Sequence, residues 1–227
     1  MKTAIRERPI LFSGPMVNAI LQGRKSQTRR VVKPQPSECI DEQHGSEFSK
    51  RAPYNLYDHE TGHPCGFGFE EEDYQWQCPY GKPGDRLWVR ERWAEIPIEV
   101  PRSERHLLKF SNREHVKDVL FAADFQGDDL NHVDWNWRPS IHMPRWASRL
   151  TLEITAVRVE RLQEITNADA RAEGFVDSAS RKEYTSGTAT DMFQKTWETL
   201  NGKKHPWASN PWVWVVSFTR ATEVSDE

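Results

Sequence analysis

Residues 149–162 constrain the fold more than any other stretch of the chain. Leu150, Leu152, Ile154 and Ala156 alternate with Thr151, Glu153 and Thr155, the period of a half-buried β-strand. The apolar phase then slips by one residue, to Val157 and Val159. Such a slip predicts a β-bulge, and bulges let a long strand curl. Trp212-Val213-Trp214-Val215-Val216-Ser217-Phe218 is apolar on both faces at first, which predicts a central strand covered on both sides.

Shorter strands read at Arg8–Phe12, Val31-Val32, Arg86–Ala94 and Val119–Ala123. Pro15–Gln22 is a short helix with Met16, Ala19 and Ile20 on one face, Pro near its start and Gly23 past its end. Thr166 followed by Asp169 is an N-cap with a first-turn acid, opening a helix over Asn167–Glu173 that Gly174 ends. Asp191–Leu200 is amphipathic through Phe193, Trp197 and Leu200 and is closed by Gly202. The order is strand, helix, several strands, helix, helix, strand, with no repeated βαβ unit, no P-loop and no GxGxxG. That pattern opposes a doubly wound sheet. It predicts an α+β fold, a small curled β-barrel with helices covering its openings. Polar insertions fall at about 37–80, read with little regular structure, and 97–118, read as helix or loop. Residues 126–134 read as turn, 178–190 as polar and flexible, and the tail after Thr222 as frayed.

The 227 residues suit one domain, 1–227, carrying those insertions. With 31 basic and 34 acidic side chains the formal charge is −3, which excludes a general polyanion coat but leaves room for a local basic patch. Ten tryptophans are more than a core requires by default, so some are candidates for stacking on a flat ligand. Three cysteines, Cys39, Cys65 and Cys78, make no disulfide framework. No signal-peptide pattern and no apolar run near the ~20 residues of a membrane span is present, so a cytoplasmic protein without membrane contact is expected. His59, His63, Cys65 and Cys78 are zinc-type donors, but their spacing matches no standard zinc pattern. No metal and no cofactor is expected.

Gly23-Arg24-Lys25-Ser26-Gln27-Thr28-Arg29-Arg30 carries the densest chemistry. One reading is a solvated basic loop stabilising the helix end before it. The other is a site for an anionic or nucleotide ligand, in which Lys25, crowded by Arg24, Arg29 and Arg30, has a lowered pKa and acts as a base toward the Thr28 hydroxyl. Period two puts Glu91 on the apolar face of Leu87, Val89 and Trp93. A carboxylate there needs a partner, with Arg24, Arg30 or Arg145 as candidates, and is either a site residue or half of a structural ion pair. Trp135–Trp146 interleaves Trp, His142 and Arg145 with two prolines. It reads either as a rim over a nucleobase pocket or as an aromatic connection packed on the core. Glu173 falls in a last helical turn, where the dipole disfavours a negative charge. That suits an acid/base role, or is simply a solvated surface position.

Gly23–Arg29 resembles the GxKxxTxR motif of the ASCH domain family. Gly84-Asp85-Arg86-Leu87-Trp88-Val89-Arg90-Glu91 resembles its second signature, and Ala172-Glu173-Gly174-Phe175 its later helix. The whole chain is similar to the larger ASCH-like proteins often encoded in phage and prophage genomes. The resemblance implies a PUA-like β-barrel and an RNA or nucleoside ligand in a cleft beside the first motif. Some small members are N4-acetylcytidine amidohydrolases with a Lys-Thr-Glu set, which by motif falls here on Lys25, Thr28 and Glu173. Arg24, Arg29, Arg30, Glu91, Trp93, His142, Arg145 and Trp146 are then the candidate substrate contacts. The implied function is removal of an acyl group from a modified cytidine. A non-catalytic RNA- or nucleic-acid-binding module and a ribonuclease are the alternatives.

Overall fold

The computed structural model describes residues 5–36, 54–57, 62, 64–68, 75–97, 116–125, 136–177 and 187–221. Expectations for Cys39, His59, His63, Trp135, most of 97–118, the 126–134 turn, residues 178–186 and the tail after Thr222 lie outside the described residues.

Five strands form the main sheet in the order β1-β6-β9-β10-β2. They are β1 (Glu7–Leu11), β2 (Gln27–Val31), β6 (Arg86–Arg90), β9 (Thr151–Arg161) and β10 (Trp212–Arg220). β1 runs parallel to β6, and the other three pairings are antiparallel. Among the described residues no pairing joins the edge strands β1 and β2, so the sheet they form is open there and shows no closed barrel. The mixed α+β architecture is as expected, mostly sheet with few helices.

The bulge in β9 is present, one residue earlier than the sequence pattern places it. Ser217 faces Ala156 and Phe218 faces Ile154, so Thr155 is the extra residue. Leu152, Ile154 and Val157 are buried, while Ala156 is exposed. β10 is covered on both faces, for a visible reason. Trp212, Trp214, Val216 and Phe218 pack into one core cluster with Ile10, Phe12, Leu87 and Leu152. Val213 and Val215 pack into a second with Phe193 and Trp197.

Among the described residues three α-helices accompany the sheet: α1 (Gly14–Leu21), α2 (Asn167–Ala172) and α3 (Ala189–Asn201). Thr166 and Asp169 form a reciprocal capping box at the start of α2, and Thr188 and Asp191 do the same for α3. Gly23 at φ 71 ends α1, a left-handed position that glycine fills at least cost. Among the described residues no helix is long and apolar enough to cross a membrane.

Three expectations need correction. The 37–80 stretch is not without regular structure: β3 (Tyr54–Tyr57), β4 (Pro64–Gly68) and β5 (Gln75–Gln77) form a three-stranded antiparallel sheet. Its Phe67 is fully buried, stacked on Trp76 at 5.2 Å and edge-on to Trp214 at 5.2 Å. Gly66 fits against the Trp76 carbonyl, where a Cβ would come within 2.2 Å. The single strand expected over 86–94 is two strands. β6 ends at Arg90 and β7 (Trp93–Pro97) pairs with β8 (Val116–Phe121) in a separate two-stranded sheet. β8 accordingly begins three residues before the strand expected at Val119. Finally, the basic stretch is a loop only to Ser26. From Gln27 it is β2, paired with β10 so that Thr28 faces Val216 and Arg30 faces Trp214.

Candidate functional site

Two backbone features bring Lys25 to Glu173. The turn after α1 folds back, its Arg24 and Lys25 amides donating to the Ala19 carbonyl at 2.8 and 3.0 Å. The Ser26 amide then donates to the Ala172 carbonyl at 2.8 Å, tying the start of β2 to the end of α2. Glu173 caps α2, and Gly174 turns the chain away at φ 97. A Cβ at Gly174 would sit 2.9 Å from Ala19 Cβ and 3.2 Å from Lys25 Cβ, so only glycine lets the three segments meet.

The Lys25 side chain is fully buried. Its Nζ donates to Glu173 Oε2 at 2.7 Å, to the Glu173 carbonyl at 2.9 Å and to the Gln27 carbonyl at 2.7 Å. All three donors of an ammonium are thereby used. Burial pushes the Lys25 pKa down. The Glu173 carboxylate opposes that fall, and Arg30 and Arg29 add smaller depressions. Desolvation, rather than crowding by arginines, is the principal cause. Nζ also lies 5.4 Å from the centre of the Phe12 ring.

Arg29 is buried on the far side of this pair. Its guanidinium donates to Glu160 Oε2 at 2.9 Å and lies 3.6 Å from Asp169 Oδ2 and 3.6 Å from Glu173 Oε1. Glu173 is thus held between Lys25 and Arg29. Arg158 completes the outer layer through Glu160, Asp169 and Gln27. Burial acts to raise the Asp169 pKa, but hydrogen bonds from Thr166 and Gln27 and the Arg29 charge outweigh it and hold the group at about 2.

Alternation along β2 separates its side chains. Arg29 points to the Glu160–Asp169–Glu173 layer, while Thr28 and Arg30 share the opposite face. Arg30 lies over the Phe12 ring at 5.3 Å and donates to the Leu11 carbonyl at 2.7 Å. Thr28 is buried, and among the described residues no hydrogen bond engages its hydroxyl. Arg24 is exposed, donating to Gln22 and to the Gly174 carbonyl.

Glu91, Trp93, His142, Arg145 and Trp146 form a different neighbourhood. Glu91 is 1% exposed, and its partner is none of the three expected arginines but Arg149, which grips both carboxylate oxygens at 2.9 and 3.0 Å. Arg149 also bonds Asp124 and lies 4.0 Å over the Phe121 ring. Burial raises the Glu91 pKa against the pull of that fork. Arg145 pairs with Glu7 instead, Trp146 meets the buried Trp93 edge-on at 6.0 Å, and His142 is exposed. No hydrogen bond or ion pair among the described residues joins this group to the Lys25–Glu173 cluster.

Sequence reasoning missed Arg149, Arg158 and Glu160. Arg149 stands just before β9, and Arg158 and Glu160 alternate with its apolar positions. Their partners come from distant segments, so no local pattern marks them. Cys65 and Cys78 are free thiols, and among the described residues no group of three His, Cys, Asp or Glu could hold a metal. Burial raises the Cys78 pKa to about 11, which makes its thiol a poor ligand at neutral pH.

Comparison with protein-family models, with curated proteins and with solved structures found no match for this chain.

Proposed function

We propose that the chain is an amidohydrolase that removes an acyl group from an acylated cytidine, using Lys25, Thr28 and Glu173. The observation that carries this is the 2.7 Å contact between Lys25 Nζ and Glu173 Oε2, sealed from solvent at the start of the strand that bears Thr28. Burial weakens the hold of Lys25 on its proton. A proton passed along that contact leaves a neutral amine, the form a general base needs.

The Thr28 oxygen attacks the acyl carbonyl as its proton moves to Lys25. The acyl carbon–N4 bond breaks, and Lys25 or Glu173 returns a proton to the departing exocyclic amine. Water, deprotonated by the same pair, then releases the acyl group from Thr28 as a carboxylic acid. In this reading Arg30, on the Thr28 face of β2, stabilises the oxyanion with the guanidinium donors that its bond to the Leu11 carbonyl leaves over. The bulge in β9 suits the curled sheet that a PUA-like arrangement behind this site would need. A nucleic-acid-binding module without catalysis is favoured by one observation: Lys25 and Thr28 are 3% and 1% exposed, closed to a substrate as they stand.

The test is to incubate the protein with N4-acetylcytidine and separate the products by chromatography. Cytidine from the wild type, reduced at least about 100-fold in Thr28→Val, is the expected result for loss of a nucleophile. Thr28→Val keeps the side-chain shape, so a folded variant isolates the hydroxyl. A folded wild type that yields no cytidine overturns the assignment.

A further inference from the structure

Cys65 and Cys78 stand opposite each other on neighbouring stretches of chain. β4 and β5 pair antiparallel, with Gly66 facing Gln77 and Phe67 facing Trp76. One residue further the same register sets Cys65 against Cys78, and the Cys78 amide donates to the Cys65 carbonyl at 2.9 Å. Facing residues of that hydrogen-bonded kind have Cα atoms about 5.5 Å apart, inside the range of about 4.4–6.8 Å that a disulfide spans. Two residues along the same pairing, Phe67 stacks on Trp76 at 5.2 Å, so side chains meet across these strands. Cys78 belongs to the core cluster that holds both rings.

The two thiols are unlike. Cys78 is 5% exposed, and burial keeps its proton on, although the Tyr80 and Gly81 amides donate to its sulfur. The chain beyond it is pinned. The Gly81 amide donates to the Cys78 carbonyl at 3.2 Å, and Arg8 Nη1 donates to the Pro79 carbonyl at 2.7 Å. Cys65 is half-buried. Leu56 faces Gly66 and Tyr57 faces Pro64, so Cys65 is the extra residue of a bulge in β4. Its sulfur donates to the Leu56 carbonyl at 3.4 Å. A bulge re-aims the side chain it carries, and rotation about χ1 swings this one from β3 toward β5. Packing explains Cys78, since a free cysteine behaves as a small apolar side chain. It does not explain a second cysteine, partly exposed, at the position that faces it.

We infer that Cys65 and Cys78 form a reversible disulfide, Cys65 being the thiol that meets the oxidant and Cys78 the one that closes the bond. The oxidant is a small disulfide of the glutathione class. The Cys65 thiolate attacks one glutathione sulfur, that S–S bond breaks, and the departing glutathione takes up the proton Cys65 has lost. The Cys78 sulfur then attacks the Cys65 sulfur, and its proton leaves with the second glutathione. Two protein thiols are oxidised, and one glutathione disulfide is reduced to two glutathiones. The Tyr80 and Gly81 amides favour the charge that gathers on the Cys78 sulfur in the second step. In a reducing compartment such a bond lasts only while oxidant is present.

The test equilibrates the full chain in glutathione buffers of increasing oxidising strength, blocks the remaining thiols, digests with a glutamyl endopeptidase and weighs the peptides. Glu70, Glu71 and Glu72 separate the two cysteines, whereas no lysine or arginine lies between Arg51 and Lys82, so trypsin would leave both on one peptide. The expected product in the wild type and in Cys39→Ser is the Cys65 peptide joined to the Cys78 peptide. Its equilibrium constant against glutathione should be at least about tenfold higher in the folded chain than in denaturant, because a disulfide that fits the fold stabilises it. Cys78→Ala should leave Cys65 carrying glutathione, and Cys65→Ala should leave Cys78 a free thiol. A folded wild type that keeps both thiols across the titration overturns the proposal. So does a bond from Cys39 to either cysteine as the main product, or a Cys65–Cys78 bond no more favoured in the folded chain than in denaturant. None of these outcomes bears on Lys25 or Thr28, so the hydrolase reading stands or falls by its own test.

Discussion

Glu173 shows what burial does to a single carboxylate. It is 3% exposed and sits between two cations, with Lys25 Nζ at 2.7 Å and Arg29 Nη1 at 3.6 Å. Removing one member of a buried ion pair strands the other, at a cost of about 3–5 kcal/mol. Lys25→Ala should therefore lower the stability measured by urea denaturation by that order, apart from any effect on turnover. The double substitution Lys25→Met with Glu173→Leu removes both charges and should recover most of the loss. A single variant as stable as the wild type would mean that water reaches the pair, and the proton transfer invoked above would lose its dry environment. The same cost makes Lys25→Ala a poor activity control by itself, which is why Thr28→Val is preferred.

At the scale of elements, the junction of α1, β2 and α2 is set by Gly174. Its φ of 97, and the 2.9 Å that would separate a Cβ there from Ala19 Cβ, leave no room for a side chain. Gly174→Ala should cost about 1–3 kcal/mol, the range for a residue held in a sparsely populated backbone region. It should also loosen the Lys25–Glu173 contact, read as faster amide exchange at Ser26. An unchanged melting temperature would show that the junction yields. Helix ends such as this were legible in the sequence, because Thr166, Asp169, Gly174 and Gly23 act on their own neighbours. β10 was legible too, since its two apolar faces are written in adjacent residues. β2 was not. Gln27, Thr28 and Arg29 are all buried, yet they are polar, and the groups that make burial tolerable come from β9, α2 and Glu173. The same holds for Glu91, whose need of a partner was readable while the identity of Arg149 was not. The sheet β3–β5 escaped for another reason: its strands are three to five residues long, too short to display a period among glycines and prolines.

Across the whole molecule, those short strands belong to the main core rather than decorating it. Phe67 touches Trp76, Trp212 and Trp214, so it joins the three-stranded sheet to β10. Phe67→Ala should destabilise by about 3–5 kcal/mol, the usual cost of truncating a buried phenylalanine. Unfolding followed by tryptophan fluorescence and by far-ultraviolet circular dichroism should coincide in wild type and variant alike. A separate early transition would make the small sheet an independent unit. The pairing of β2 with β10 has a consequence for biosynthesis. Thr28 meets Val216 and Gln27 meets Ser217, so the ribosome makes the strand that carries the motif long before the strand that receives it. Until then the edge of β2 lacks the one strand it pairs with among the described residues, although Glu173 has already been made. A chain released between Glu173 and Trp212 would carry Lys25, Thr28 and Glu173 but not the strand that holds β2 in register. The strand that carries the motif therefore stays unpaired, among the described residues, until β10 has left the exit tunnel.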